Sequence, residues 1–264
     1  MPAWESVTGF ARRRRAENPG PMTLDGTNSY VLGEPAAGSV VIVDPGPLLA
    51  EHVGELAASG SVELVLITHR HGDHTAAGAR LHELTGAPVR AALPAFCYGA
   101  GALADGEVIH AAGLAIQVLA TPGHTSDSLC FAVEPAGASP KLMLTGDTIL
   151  GTGSTVLDHP DGTLKDYLDS LARLRAWAAA QAAPVPVLPG HGPVLPDLDQ
   201  AAMAYQEHRG ERIAQLRAAV ERVGTAGEAT AEQLVQAVYG QLPPQLQAAA
   251  LLSVQAQLQY LRVL

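Results

Sequence analysis

The sequence predicts an α/β fold in which two β-sheets carry helices on their outer faces. Short β-prone runs outnumber helical runs along the 264 residues, and the helical runs are spread between the strands. The 47 % apolar content allows one large buried core with a small appendage.

In chain order, Ser29 to Leu32 and Val40 to Val43 are β-prone runs separated by a Gly- and Pro-containing turn, and Asp44-Pro45-Gly46 ends the second. They read as a hairpin. Leu48 to Ala58 is helical in character, and Val62 to Thr68 is a continuous apolar strand. Thr75 to Thr85 reads as a helix that Gly86 and Pro88 terminate. Further strands are predicted at Val89 to Ala92, Ala115 to Ala120, Leu129 to Val133, Lys141 to Leu144 and Val185 to Leu188, each bounded by turn residues. Leu164 to Ala180 is the clearest helix of this part. Beyond about residue 200 the texture becomes helical, so the chain divides into a domain at 1–200 and a helical module at 201–264. In the module, Ile213, Leu216, Val220 and Val223 fall at helical spacing, and Gly224 to Gly227 breaks the run. Thr230 and Gln233 form a capping-box pattern, Leu242-Pro243-Pro244 interrupts, and Leu251, Val254, Leu258 and Leu261 mark a last amphipathic helix.

The net charge is −10, all of it in residues 1–203, because residues 204–264 hold five acids and five arginines. No broad basic face is expected. Two bound divalent cations would nonetheless return positive charge to one cleft, so the charge alone does not exclude phosphate substrates. Arg12 to Arg15 read as a solvated tail. The two cysteines, Cys97 and Cys130, lack CxxC spacing and read as buried thiols of a reducing compartment. Asn18-Pro19-Gly20-Pro21 follows the arginine run where a signal peptide would need an apolar stretch, and no later run is long enough to span a membrane. The expected location is cytoplasmic.

Thr68-His69-Arg70-His71-Gly72-Asp73-His74 packs three imidazoles and one carboxylate into the end of an apolar strand. Alternation puts His69 and His71 on one side, and Asp73 and His74 sit on the turn into the next helix, where they can face a second metal. Imidazole nitrogen and carboxylate oxygen suit zinc. His124 in Thr121-Pro122-Gly123-His124-Thr125, Asp147 in Thr145-Gly146-Asp147-Thr148 and His191 in Pro189-Gly190-His191-Gly192 each follow a strand, so all three converge on one edge.

This His-x-His-x-Asp-His segment, with its downstream His, Asp and His, resembles the full motif set of the metallo-β-lactamase superfamily. The resemblance spans about residues 20–200. It implies an αββα sandwich in which His69, His71 and His124 hold one zinc, Asp73, His74 and His191 hold the other, and Asp147 bridges them. A hydroxide shared by two Zn2+ ions would then be the nucleophile, with Asp73 doubling as an orienter or proton acceptor. Asn18-Pro19-Gly20-Pro21, the run from Thr23 to Tyr30, and Thr145 to Gly151 with Ser154-Thr155 resemble the branch related to the lactamase-beta-2 endoribonuclease. So does the C-terminal module, which there is a winged-helix-like unit. Asn28 and Ser154 would border the cleft and bind substrate. Asp44-Pro45-Gly46 matches a family motif and reads as a structural turn. His52, His82, His110, His159 and His208 lack ligand-like company and read as solvent-facing or locally bonded.

The resemblance places a phosphodiesterase on single-stranded RNA first, although two lysines and few aromatics are a poor supply of phosphate and base contacts. A thioester or ester hydrolase resembling glyoxalase II is second. A β-lactamase ranks low without a signal peptide. A non-catalytic binding module conflicts with the complete ligand set. The balanced charge of the module favours packing, in which it shapes the cleft and supports a homodimer.

Overall fold

The computed structural model describes residues 4–135, 141–223 and 230–262. The break read at Gly224 to Gly227 lies outside them. The first sheet holds β1 (Glu5–Thr8), β2 (Ala11–Arg15), β3 (Asn28–Leu32), β4 (Ser39–Val43), β5 (Ser61–Leu66) and β6 (Val89–Arg90), side by side in chain order. Strands β1 to β4 are antiparallel neighbours, and β4, β5 and β6 run parallel. The second sheet has the order β11 (Val187–Pro189), β10 (Leu142–Gly146), β9 (Leu129–Pro135), β8 (Leu114–Ala120), β7 (Val108–Ala111). It is antiparallel except where β10 meets β11. The helices are α1 (Ala50–Ala57), α2 (Gly72–Thr75), α3 (Gly78–Thr85), α4 (Leu164–Ala179), α5 (Leu198–Val223), α6 (Ala231–Tyr239) and α7 (Pro244–Arg262).

The period-two alternation of the strands sorts their side chains into layers. Tyr30, Leu32, Val41 and Val43 point inward to meet Ile116, Val118, Phe131 and Val133 of the second sheet, forming the core between the sheets. Val31 and Ile42 point outward against Val53 and Leu56 of α1 and Leu81 of α3. On the far side, Cys130, Ala132 and Met143 meet Tyr167, Leu171 and Leu174 of α4 and Leu198 and Ala202 of α5. Two sheets thus lie between two helical layers, the αββα arrangement expected.

The structure departs from the sequence reading in several respects. Arg12 to Arg15 are not a solvated tail but lie in β2, where Arg14 is 3 % exposed and paired with Glu55, and Arg12 stacks over Trp4. The helix read at Thr75 to Thr85 is split, because the Ala77 N–H donates to the Gly46 carbonyl at 3.2 Å instead of continuing a helical ladder. Cys97 is only half-buried, whereas Cys130 is buried, which pushes its thiol up to about 11. The boundary at residue 200 falls inside α5, whose first half packs on α4 while Leu216 and Ala219 pack against Leu234 of α6 and Val254 of α7. No helix among the described residues is long and apolar enough to cross a membrane.

Candidate metal centre

Each candidate ligand stands where a strand ends. His69, His71, Asp73 and His74 follow β5, His124 follows β8, Asp147 follows β10 and His191 follows β11. The two sheets are tied together at this edge, since Leu129 N–H donates to the Thr68 carbonyl at 2.8 Å and Gly190 N–H to the Gly146 carbonyl at 2.8 Å.

The structure brings all seven residues together in two groups, His69, His71, His124 and Asp147, and Asp73, His74 and His191. In the first, His71 Nδ1 lies 3.0 Å from both His69 Nε2 and His124 Nε2. In the second, Asp73 Oδ2 lies 3.3 Å from His74 Nε2 and 3.2 Å from His191 Nε2, and these two nitrogens are 3.3 Å apart. The Asp147 carboxylate also reaches the second group, with Oδ2 3.3 Å from His191 Nε2 and Oδ1 3.5 Å from His74 Nε2. Donors each about 2.1 Å from an ion at tetrahedral angles stand roughly 3.4 Å apart, so both groups fit a divalent metal.

The outer ring nitrogens support the same fit. His124 Nδ1 lies 2.6 Å from the Val156 carbonyl, His191 Nδ1 3.2 Å from the Gly26 carbonyl and His74 Nδ1 2.8 Å from Asp44 Oδ2. His71 Nε2 is 3.3 Å from Asp158 Oδ2. His69 Nδ1 sits 3.0 Å from Thr68 Oγ1, which donates onward to Asp44 Oδ2 at 2.8 Å. Each outer N–H is spent on an oxygen, so in the neutral form that binds a metal each inner nitrogen keeps its lone pair. Lone pairs facing one another at 3 Å repel unless a cation lies between them. Asp147 Oδ1 is likewise buried without a hydrogen-bond partner.

The charges follow the same division. Burial and then the neighbouring His74 hold His69 well below the ordinary imidazole value, and burial lowers His124 to about 4. Burial alone would raise the Asp73 and Asp147 carboxyls, yet His191 and His74 hold both far below the carboxylate range. Against the cost of burial, Asp147 lifts His191 to about 9, and Asp44 lifts His74 well above its usual value.

Asp44 is the residue the sequence reading placed only in a turn. It is 2 % exposed with φ 52°, and it accepts from Thr68 N–H at 2.8 Å, Thr68 Oγ1 at 2.8 Å and His74 Nδ1. It therefore orients one imidazole of each group, His74 directly and His69 through Thr68. Asp73 is oriented by Thr27, whose hydroxyl donates to Oδ2 at 3.0 Å while accepting from Asn18 Nδ2 at 2.9 Å.

The two substrate-binding residues expected from the sequence lie elsewhere. Asn28 is fully buried, and its Nδ2 donates to the Pro189 and Gly192 carbonyls, both at 2.9 Å, so it pins the His191 loop and does not face a substrate. Ser154 is exposed and lines a neighbouring groove beside Arg209 and Arg212, not the metal cleft. His52 is buried, not solvent-facing, and bonds Ser29 Oγ, 23 residues away, at 2.8 Å.

The cleft over the metal centre has a volume of about 360 Å3, walled by Met22, Val156 and Leu252 around His71, Asp73, His124, Asp147 and His191. Asp158 stands at its rim, and among the described residues no lysine or arginine lines it. Arg70, beside the rim, is paired with Asp158 and, at 3.1 Å, with Asp161.

Residues 22–191 match the metallo-beta-lactamase superfamily, and residues 230–262 match the beta-lactamase associated winged helix domain. The chain is similar to the lactamase-like protein adaB of Aspergillus niger, 32 % identical over 94 % of this chain and 79 % of that one. It is also similar to an atrochrysone carboxyl ACP thioesterase of Aspergillus chevalieri, 31 % identical over 95 % of this chain and 80 % of that one. In fold it is similar to a metallo-beta-lactamase family protein from Thermus thermophilus, with a TM-score of 0.77 and 23 % identity over 98 % of this chain and 95 % of that one.

Proposed function

The chain belongs to the metallo-beta-lactamase superfamily and is a hydrolase with a divalent-metal site, and from that premise we propose that it is a binuclear zinc thioesterase acting on acyl thioesters of a long carrier arm. The observation that carries this reading is the cleft, which Met22, Val156 and Leu252 wall and which no lysine or arginine among the described residues lines. A phosphodiester chain needs cations along its track, whereas an acyl group is held by side chains such as Met22, Val156 and Leu252. The similarity to a thioesterase over nearly the whole chain supports the same choice. This reverses the order of the two substrate readings drawn from sequence.

His69, His71 and His124 would hold one zinc, Asp73, His74 and His191 the other, and Asp147 would lie between them. When bound, the ions supply Lewis acidity that lowers the pKa of water and polarises the scissile carbonyl. Asp73, 24 % exposed toward the cleft, orients the attacking water as a hydrogen-bond acceptor. Its carboxyl is held so low that it is a weak base, so orientation is its main contribution. Met22, Val156 and Leu252 exclude bulk water and seat the acyl chain. A C–O bond forms to water oxygen, the C–S bond breaks, and the products are a carboxylic acid and a thiol.

The test is metal content by elemental mass spectrometry, alongside hydrolysis of an acyl thioester and of a labelled single-stranded RNA by wild type and Asp147→Ala. The expected result is about two zinc ions per chain and Asp147-dependent thioester hydrolysis. RNA cleavage without thioester turnover would replace this reading with the phosphodiesterase one. Stoichiometric iron instead of zinc would correct the metal.

A further inference from the structure

Beside the metal cleft lies a second groove of about 200 Å3, formed where the loop after β10 meets α5 and the α6–α7 pair. The two share Val156, and α7 contributes Leu252 to the cleft and Ser253 to the groove, so one ridge separates them. The groove carries what the cleft lacks. Arg209, Arg212 and His208 line it together with Ser154 and Ser253, above an apolar wall that includes Leu246.

The bonds of the two arginines go to neutral groups. Several other guanidiniums of this acidic chain find carboxylates, as Arg14 finds Glu55, Arg90 finds Glu107 and Arg173 finds Asp105. Among the described residues neither Arg209 nor Arg212 forms an ion pair. Arg209 is 3 % exposed, donates to the Thr155 carbonyl and lies 5.0 Å over the Tyr167 ring, yet its Nε is buried without a hydrogen-bond partner. Arg212 lies 4.9 Å over the Tyr239 ring and donates only to Gln215 Oε1 at 2.9 Å and, at 3.4 Å, to His208. Holding a buried guanidinium without its anion costs free energy, and an arriving anion recovers it.

We propose that this groove is an anion subsite that holds the phosphate of a phosphopantetheine-type arm while the thioester at the arm's other end sits in the metal cleft. The assignment rests on the thioesterase reading for the identity of the arm. Arg209 and Arg212 bind the phosphate oxygens, Ser154 and Ser253 supply hydroxyl donors, and the apolar wall covers the methylene and gem-dimethyl part of the arm. Specificity then comes from the far end of the substrate, with the metal centre left free of cations that would compete with the ions.

The experiment compares KM for an acyl-coenzyme A and an acyl-carrier thioester with KM for the same acyl group on N-acetylcysteamine, which lacks the phosphate. Wild type is expected to favour the phosphorylated arms, and Arg212→Gln to lower that preference about tenfold, the loss of one charge-assisted bond. Ser154→Glu, on an exposed position, places a carboxylate in the groove and is expected to lower the preference similarly. A fall for both arms, or for the carrier alone, supports the subsite and tells the two sources apart. Equal KM values with and without the phosphate in wild type overturn the subsite and leave the thioesterase reading standing. If no thioester is hydrolysed, that reading fails, and calorimetric binding of 4′-phosphopantetheine against pantetheine, in wild type and Arg212→Gln, decides the groove separately. An RNA oligonucleotide that binds in an Arg212-dependent way while 4′-phosphopantetheine does not would reassign the groove to nucleic acid and overturn the proposal.

Discussion

Replacing Asp44 by Asn isolates the orientation of the metal ligands from their presence. The side chain keeps its size, and Asn tolerates the left-handed backbone that Asp44 adopts at φ 52°. What changes is one acceptor. With the amide oxygen taking the Thr68 N–H bond, the Nδ2 group faces His74 Nδ1 at about the 2.8 Å now held by a carboxylate oxygen. Two donors then meet, and His74 escapes only by moving its proton to Nε2, the nitrogen that faces His191 and Asp147. The Thr68 hydroxyl loses the same acceptor, which loosens His69. Loss of such supporting bonds costs about 10- to 100-fold in metal affinity, or about 1.4 to 2.7 kcal/mol. Competition of the metal-free protein against a zinc-binding dye measures it, with circular dichroism as the control for folding. A folded Asp44→Asn variant whose zinc affinity stays within twofold of wild type would refute the orienting role.

Gly190→Ala should abolish metal loading, because its Cβ would collide with Asp147 Oδ1 and stand 2.8 Å from His74 Cε1; two zinc ions per chain in that variant would contradict the packing. His52 should make stability depend on pH. Burial, followed by the Arg14 charge, lowers it to about 4 from about 6.5 in the unfolded chain. The unfolded state therefore binds more protons between these values, and stability present above pH 6.5 is lost as pH falls toward 4, by about 3 kcal/mol at most. Denaturant midpoints from pH 4 to 7 should flatten in His52→Gln, and parallel curves for the two proteins would count against it. Tyr205→Phe removes the oxygen that accepts from Leu150 N–H at 2.9 Å, and the unsatisfied buried amide should cost about 1–3 kcal/mol, read as a lowered urea midpoint.

The clustering of the seven His and Asp residues was legible because each sits at the end of an apolar run, where residue type and strand ending are both local facts. The layers were legible for the same reason, since alternation in β3, β4, β8 and β9 sorts side chains without knowledge of the partner strand. What the sequence could not display is contact across long separations. Arg14 reads as a solvated cation until Glu55 is brought against it by α1. Asp44 reads as a turn residue because its three bonds go to Thr68 and His74, 24 and 30 residues away. Asn28 offered a polar side chain beside a motif, but its partners, the carbonyls of Pro189 and Gly192, are 161 and 164 residues distant. The boundary read at residue 200 lies within α5 for another reason. No glycine or proline marks residue 200, and the helix runs on because each half of α5 has its own apolar neighbours to cover.

The continuity of α5 ties the winged-helix module to the metal centre through one loop. Tyr205 holds Leu150, accepting from its N–H and donating to its carbonyl at 3.3 Å, and one turn later Arg209 holds the Thr155 carbonyl. The residue after Thr155 is Val156, whose carbonyl accepts from His124 Nδ1 at 2.6 Å and whose side chain belongs to both cleft and groove. A shift of α5 along this loop must therefore reach His124, a candidate ligand, while it changes the shape of the cleft. The module contributes Leu252 to that cleft. Under the proposed thioesterase reading, Leu252 of α7 walls the acyl site, while Tyr205 and Arg209 of α5 hold the loop whose Val156 carbonyl orients His124.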